Sequence, residues 1–86
     1  MWVICKVVDS KSGAQIGPEE FQDADESVTF GALFLMVAPS GRILKKVCLA
    51  ETGKPSDTWT VAELTHPISL SSQFKKPYVK FIVETA

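Results

Sequence analysis

The two ends of the chain carry the same alternation of side chains. The segments Trp2–Val8 and Tyr78–Val83 are both rich in β-branched and aromatic residues. Because successive side chains of a strand point to opposite faces, each segment predicts a strand with one inward-facing set. The predicted inward-facing residues are Val3, Cys5, Val7, Val79, Phe81 and Val83. The opposite face of each predicted strand also carries bulky apolar side chains. We therefore expect this second face either to be covered or to bind other molecules through its apolar surface.

The segment after the first strand changes from small polar to acidic residues. Residues 9–13 form a predicted turn, and a short strand is predicted at Ala14–Ile16, ending at Gly17-Pro18. Residues 19–26 then hold five carboxylates in eight positions, around the apolar Phe21. Acidic residues favour the positive end of a helix dipole, so we interpret this stretch as a solvated lead-in to a helix. The alternative is a contact for a basic partner.

The apolar segment Val28–Ala38 fits two structures. A helix would begin near Asp25 or Ser27 as its N-cap and end before Pro39. Its predicted core-facing residues are Val28, Ala32, Leu35 and Met36. The rival is a β-hairpin that turns at residues 39–41 and returns along Arg42–Ala50. We favour the helix, because a strand so apolar on both faces would be a fully buried central strand, which is unusual in a small domain.

The second half of the chain predicts one strand, a loop and a short helix. Arg42–Leu49 has the composition of a strand, and residues 51–57 that of a turn-rich loop. Thr60 and Glu63 have the spacing of a capping box, which predicts a helix of about one turn at Val61–Leu64. The predicted core residues of this half, apart from the last strand, are Ile43, Val47, Leu49, Val61 and Leu64.

The order strand, strand, helix, strand, loop, one-turn helix, strand resembles the β-grasp fold of ubiquitin-like domains. The resemblance is carried by Met1–Lys6, by Gly53-Lys54 followed by Thr58–Leu64, and by Tyr78–Val83. It implies an α+β domain in which a mixed sheet of four or five strands packs on one helix, plus the short one-turn helix. No Gly-Gly pair follows the last strand, so conjugation to target proteins is not implied.

The resemblance also implies a site. The first and last strands of a β-grasp sheet are adjacent and parallel, which would bring their outward-facing side chains together. Arg42-Ile43-Leu44 resembles the strand that completes the ubiquitin recognition surface, with Leu44 and Cys48 competing for the exposed position. An apolar patch bordered by lysines is typical of a protein-binding surface. The predicted partner-binding residues are Trp2, Ile4, Lys6, Leu44, Tyr78, Lys80 and Ile82.

We therefore expect a non-conjugated ubiquitin-like module that binds a protein partner through this face. The alternative is a self-associating domain, either a homodimer or a PB1-like assembly domain. Lys6 stands where a PB1 domain carries its first-strand lysine, but the late loop offers only Glu51 and Asp57 in place of that family's acidic motif.

Length and charge limit the number of domains and the classes of partner to be expected. Eighty-six residues suit a single domain, 1–86, which we expect to be the N-terminal module of a longer protein. A formal net charge of −1 gives no reason to expect nucleic acid or an anionic membrane as a partner. The longest apolar run, Ala32–Ala38, is far short of a membrane span, and the N-terminus does not read as a signal peptide. The expected location is cytoplasmic.

Groups that could carry chemistry are sparse in this sequence. His66 is the only histidine, and the phosphate-loop, G-x-S-x-G and H-E-x-x-H motifs are absent. Cys5 and Cys48 lie in separate apolar runs, where small buried hydrophobes are expected rather than a disulfide or a zinc site. We therefore expect no catalysis, cofactor, metal or small-molecule substrate.

Overall fold

The computed structural model describes residues 2–25, 27–37, 41–50, 58–60, 63, 65–68 and 77–86. These residues form five strands and one helix. In chain order they are β1 (Trp2–Asp9), β2 (Glu20–Asp23), α1 (Phe30–Val37), β3 (Leu44–Leu49), β4 (Thr58–Thr60) and β5 (Tyr78–Thr85).

The strands form one mixed sheet in the order β2-β1-β5-β3-β4. β1 runs parallel to β5 along its whole length, from Trp2 opposite Tyr78 to Asp9 opposite Thr85, and every other pair is antiparallel. A parallel pair needs a long crossover connection, which here contains β2, α1, β3 and β4. The domain is therefore α+β, with a mixed five-stranded sheet and one short helix, an arrangement compatible with a β-grasp fold.

The core lies between one face of the sheet and α1. The inward-facing residues predicted for the first and last strands are confirmed, because none of the six is more than 2% exposed. Three aromatic rings meet at the centre of this core. The rings of Phe30 and Trp59 stack with centroids 4.4 Å apart, and both meet the ring of Phe81 edge-on. Such pairs stabilise a core beyond the area that they bury.

The helix predicted in Val28–Ala38 is confirmed, and the alternative β-hairpin is wrong. The predicted N-cap of the helix is also wrong. α1 begins at Phe30, and the hydroxyl of Thr29 accepts a hydrogen bond from the Ala32 N–H at 3.1 Å. The carbonyl of His66 accepts from the Phe30 N–H at 3.0 Å, so two of the helix's first N–H groups have partners. Asp25 instead accepts from the Ser27 N–H in the preceding turn, at 2.8 Å.

The predicted buried face of the helix is also wrong. Phe30, Leu33 and Val37 face the core, whereas Leu35 is 79% exposed. Ala32 and Met36, also predicted to be buried, are exposed, and Val28 is a half-buried neighbour of the core. This segment is apolar nearly all round, so periodicity alone does not select a face.

The acidic lead-in proved to be a strand. Glu20–Asp23 forms β2, antiparallel to β1, and not the approach to a helix. The strand predicted at Ala14–Ile16 is reduced to two backbone hydrogen bonds, from the Asp9 N–H to the Ala14 carbonyl and from the Ile16 N–H to the Val7 carbonyl, each 2.8 Å long. Gly17, which follows these bonds and precedes β2, has a φ of +72°, a backbone conformation that breaks the extended run.

A β-bulge explains two errors in the third strand. The pairing of β3 with β5 shifts between Leu44 and Lys46, so one extra residue lies between them. Leu44, predicted on the solvent face, is consequently buried at 5% exposure, while Ile43, predicted in the core, is 67% exposed. Val47 and Leu49 are buried as predicted.

β4 was not predicted from the sequence, and its central residue, Trp59, is buried in the core. Immediately after it, the Glu63 carboxylate accepts from the Thr60 N–H at 3.2 Å, which is the glutamate half of the predicted capping box. The rest of the one-turn helix predicted at Val61–Leu64, including the core positions Val61 and Leu64, lies outside the described residues.

The Arg42 side chain links the last residues of β1 and β5 through hydrogen bonds. Its guanidinium donates to Asp9 Oδ1 at 2.6 Å and to Thr85 Oγ1 at 2.9 Å, and the Thr85 hydroxyl donates to the Val8 carbonyl. The backbone N–H of Ser12 and then the Arg42 side chain stabilise the Asp9 carboxylate, which lowers the pKa of Asp9 below its usual range.

We predict that the aromatic core is the least replaceable part of the domain. Phe30→Ala should lower the free energy of unfolding by about 3–5 kcal/mol, because it removes a buried ring that contacts two others. Leu35→Ala, on the exposed side of the same helix, should change it by about 0.5 kcal/mol or less. Urea denaturation followed by circular dichroism measures both, and equal losses would contradict the observed helix face.

We also predict a pH-dependent contribution from Asp9. Its pKa is lower in the folded state than the ordinary value of about 3.9, so the carboxylate stabilises the fold above that pH. This stabilisation is lost as the pH falls through the folded-state pKa. The advantage of the wild type over Asp9→Asn in urea denaturation should therefore shrink between pH 6 and pH 2.5. Arg42→Gln should reduce the pH dependence only in part, because the Ser12 N–H remains, and a constant advantage at every pH would refute the assignment.

Candidate protein-interaction face

The sheet face opposite the helix gathers apolar side chains from three adjacent strands. Trp2 on β1 lies beside Tyr78 on β5, and Ile4 on β1 lies beside Phe21 on β2. Together these four residues line a shallow groove of about 350 Å³, and we call them the aromatic patch. Trp2, Phe21 and Tyr78 are 56%, 60% and 52% exposed, so half or more of each side chain contacts solvent.

Three of the four patch residues were among the predicted site residues, and Phe21 was not. In the sequence, Phe21 is an isolated apolar residue in an acidic stretch that we interpreted as a helix lead-in. Its position on the face follows from the register of β2, where Phe21 lies opposite Ile4. The available signal was the residue itself, since a large aromatic flanked by charges in a short strand marks an exposed apolar position.

Lys80 borders the aromatic patch as part of an ion pair. Lys80 belongs to β5 and lies beside Ile4 of β1. Its Nζ atom is 2.7 Å from Oε1 of Glu19, the residue that precedes β2. Because β1 lies between β5 and β2, this pair spans the middle strand of the three. The predicted position of Lys80 on the face is correct, but its charge is engaged by a carboxylate.

The remaining predicted residues lie farther along the same face. Lys6 is opposite Ile82, and Ile82 is opposite Cys48 on β3, and all three are half-buried. Cys48 therefore holds the third-strand position for which Leu44 was the predicted occupant. Leu44 is excluded from the site because the bulge turns it into the core.

Neither cysteine is poised to react as a thiolate. Burial raises the pKa of the Cys5 thiol to about 12, and the Glu20 carboxylate adds to the effect. Burial also raises the pKa of the Cys48 thiol, assisted by Glu84 and opposed by Lys46. Both cysteines are free, and a high pKa disfavours the nucleophilic form.

Other features of the described part of the chain give weaker indications of a functional site. Within it, no group of three or more histidine, cysteine or acidic side chains is placed to hold a metal ion. A second depression of about 280 Å³ separates the end of α1 from the Ile16–Pro18 turn, with Met36 and Glu20 among its walls. No helix among the described residues is long and apolar enough to cross a bilayer.

Comparison with protein-family models, with curated proteins and with solved structures found no match for this chain. The geometry of the site is that of an apolar groove, bordered by one ion pair, that crosses three strands of the sheet face opposite the helix.

Proposed function

We propose that this chain is a non-conjugated ubiquitin-like domain that binds a protein partner through the aromatic patch. The two free cysteines suit a reducing compartment such as the cytoplasm, since disulfides are rare there. The sheet order and the parallel β1–β5 pair support the ubiquitin-like assignment, because both are expected of a β-grasp fold.

The observation that carries the proposal is the convergence of Trp2, Ile4, Phe21 and Tyr78 on one solvent-facing groove. Tryptophan and tyrosine are enriched among the residues that dominate binding energy at protein interfaces. Holding three large aromatic side chains half-exposed in one place exposes apolar surface to water, and a contiguous apolar patch of this kind marks an interaction site. The patch lies on strands, so its geometry is fixed before a partner arrives.

We predict that peptide ligands selected on this domain depend on the aromatic patch. A random peptide library displayed on phage would be selected on the immobilised domain, and each clone then tested against Trp2→Ser and Tyr78→Ser. Binding should fall at least about tenfold in both variants, which corresponds to the loss of about 1.4 kcal/mol. The variants should fold normally by circular dichroism, because both side chains are exposed in the free domain.

Leu35→Ser is the matched control, because Leu35 is an exposed apolar residue on the helix side of the molecule. It should leave every selected clone bound. The proposal is wrong if the clones bind the patch variants as tightly as the wild type, or if Leu35→Ser releases them. Sedimentation of the free domain as a dimer that Trp2→Ser converts to a monomer would instead assign the patch to self-association.

A further inference from the structure

We infer that the segment bound by the aromatic patch is proline-rich and lies on the patch in the polyproline II conformation. This inference rests on the proposed function, which assigns the patch to a protein partner, and adds the chemistry of the bound segment. The ligand follows from the open rings of the patch, the length of the groove, the pairing of the strands beneath it, and the polar and charged groups around it.

The rings of the patch do not stack on one another. The three aromatic rings of the core pair closely with each other. In contrast, no ring contact joins Trp2, Phe21 and Tyr78 in the described part of the chain, and each is more than half exposed. Ring surface that is not used within the domain is left for a ligand. Aromatic-lined grooves of this kind bind proline-rich segments, whose compact, rigid rings pack on aromatic side chains.

The length of the groove suits a short polyproline II segment. Tyr78 on β5 and Phe21 on β2 lie at its two ends, with β1 between them. Tyr78 is opposite Trp2 and Phe21 is opposite Ile4, so the ends are also offset by two residues along the strands. Strand spacing and rise per residue then place the two ends about 12 Å apart. A polyproline II helix rises about 3.1 Å per residue, so about five residues span the groove, with the first and fourth on the same side.

The strands beneath the groove favour a ligand whose backbone does not need to pair with them. β1 lies between β2 and β5, and β5 lies between β1 and β3, so both strands already have neighbours on each side. A segment lying on this face therefore contacts side chains rather than free backbone groups. Polyproline II has no internal hydrogen bonds and keeps its backbone solvated, so such a segment binds without burying unpaired N–H groups.

The polar groups of the groove complement proline. The indole N–H of Trp2 is a donor only, and the hydroxyl of Tyr78 donates as well as accepts. Neither side chain forms a hydrogen bond with another described residue. Proline has no backbone N–H but keeps its carbonyl acceptor. A proline-rich segment consequently presents acceptors to a groove that presents donors.

The charged side chains at the border of the groove already have partners. Lys80 is paired with Glu19 at 2.7 Å, and Asp23, which lies opposite Trp2, has an interaction of its own. An uncharged ligand leaves these interactions intact, whereas a charged one would compete for them. No two of the five prolines in this sequence are three positions apart, so the bound segment comes from outside these 86 residues.

The test is a titration of the ¹⁵N-labelled domain with acetyl-decaproline-amide, a peptide that forms polyproline II. We expect amide shifts at residues 2–4, 20–22 and 78–80. Because proline has no backbone N–H, this peptide cannot complete the hydrogen bonds of a strand added to the β2 edge. A decamer of alternating L- and D-proline has the same composition but cannot form the polyproline II helix. It should bind at least about tenfold more weakly.

Variants of the domain localise the effect. Trp2→Ser and Phe21→Ser should each weaken decaproline binding at least about tenfold. Tyr78→Phe keeps the ring and removes only the hydroxyl, so it should weaken binding about two- to tenfold, the range expected for one hydrogen bond. Leu35→Ser, on the helix side, is the control and should change nothing. Binding should not weaken between low salt and about 0.5 M NaCl, because no charged contact contributes to it.

The inference is overturned if the alternating peptide binds as tightly as decaproline, if the shifted amides lie beside Met36 rather than along the groove, or if decaproline does not bind at millimolar concentration. A domain that sediments as a dimer, with the groove amides shielded before any peptide is added, would assign the groove to a second copy and also overturn it. Patch-dependent phage clones without two prolines three residues apart would overturn this inference and leave the proposed function standing. The absence of any patch-dependent clone would remove both.

Discussion

The parallel pairing of β1 with β5 is the constraint on which the rest of the structure depends. It joins the two ends of the described chain along eight consecutive residue pairs and fixes which side chains share a face. Val3, Cys5, Val7, Val79, Phe81 and Val83 then lie in the core with the buried residues of α1. Trp2 and Tyr78, at the starts of the two strands, are exposed to solvent on the other face. Every other strand adds to this pair from one side or the other, β2 beyond β1, and β3 and β4 beyond β5. The buried core and the aromatic patch consequently lie on opposite sides of the same pair of strands.

The aromatic core determines how the helix lies on this sheet. Phe30 stacks on Trp59 from β4 and meets Phe81 from β5, so the first residue of α1 is anchored to two strands. Because Phe30 faces inward, Leu33 and Val37 follow it into the core at helical spacing, while Leu35 faces solvent. Backbone hydrogen bonds between residues 28–30 and 66–68 hold the start of the helix from the other side.

The parts of this fold that the sequence predicted are those in which one local pattern has one solution. Trp2–Val8 and Tyr78–Val83 alternate strictly enough to show both the strands and their buried faces. The face of α1 could not be predicted, because its residues are apolar nearly all round and the choice depends on a stacking partner, Trp59, that is distant in sequence. The bulge in β3 changed the positions of Ile43 and Leu44 for a similar reason, since only pairing with β5 reveals it.

The aromatic patch was predicted in part for the same physical reason. Trp2, Ile4 and Tyr78 follow from the alternation of their own strands, whereas Phe21 joins them only through the register of β2. Urea denaturation of variants at two neighbouring residues of β1, Trp2→Ser and Val3→Ser, tests directly whether this strand has one buried and one exposed face. Val3→Ser should lower the free energy of unfolding by about 2–4 kcal/mol, and Trp2→Ser should change it by about 0.5 kcal/mol or less. Similar losses in the two variants would contradict this arrangement, because they would show that β1 has no solvent-facing side.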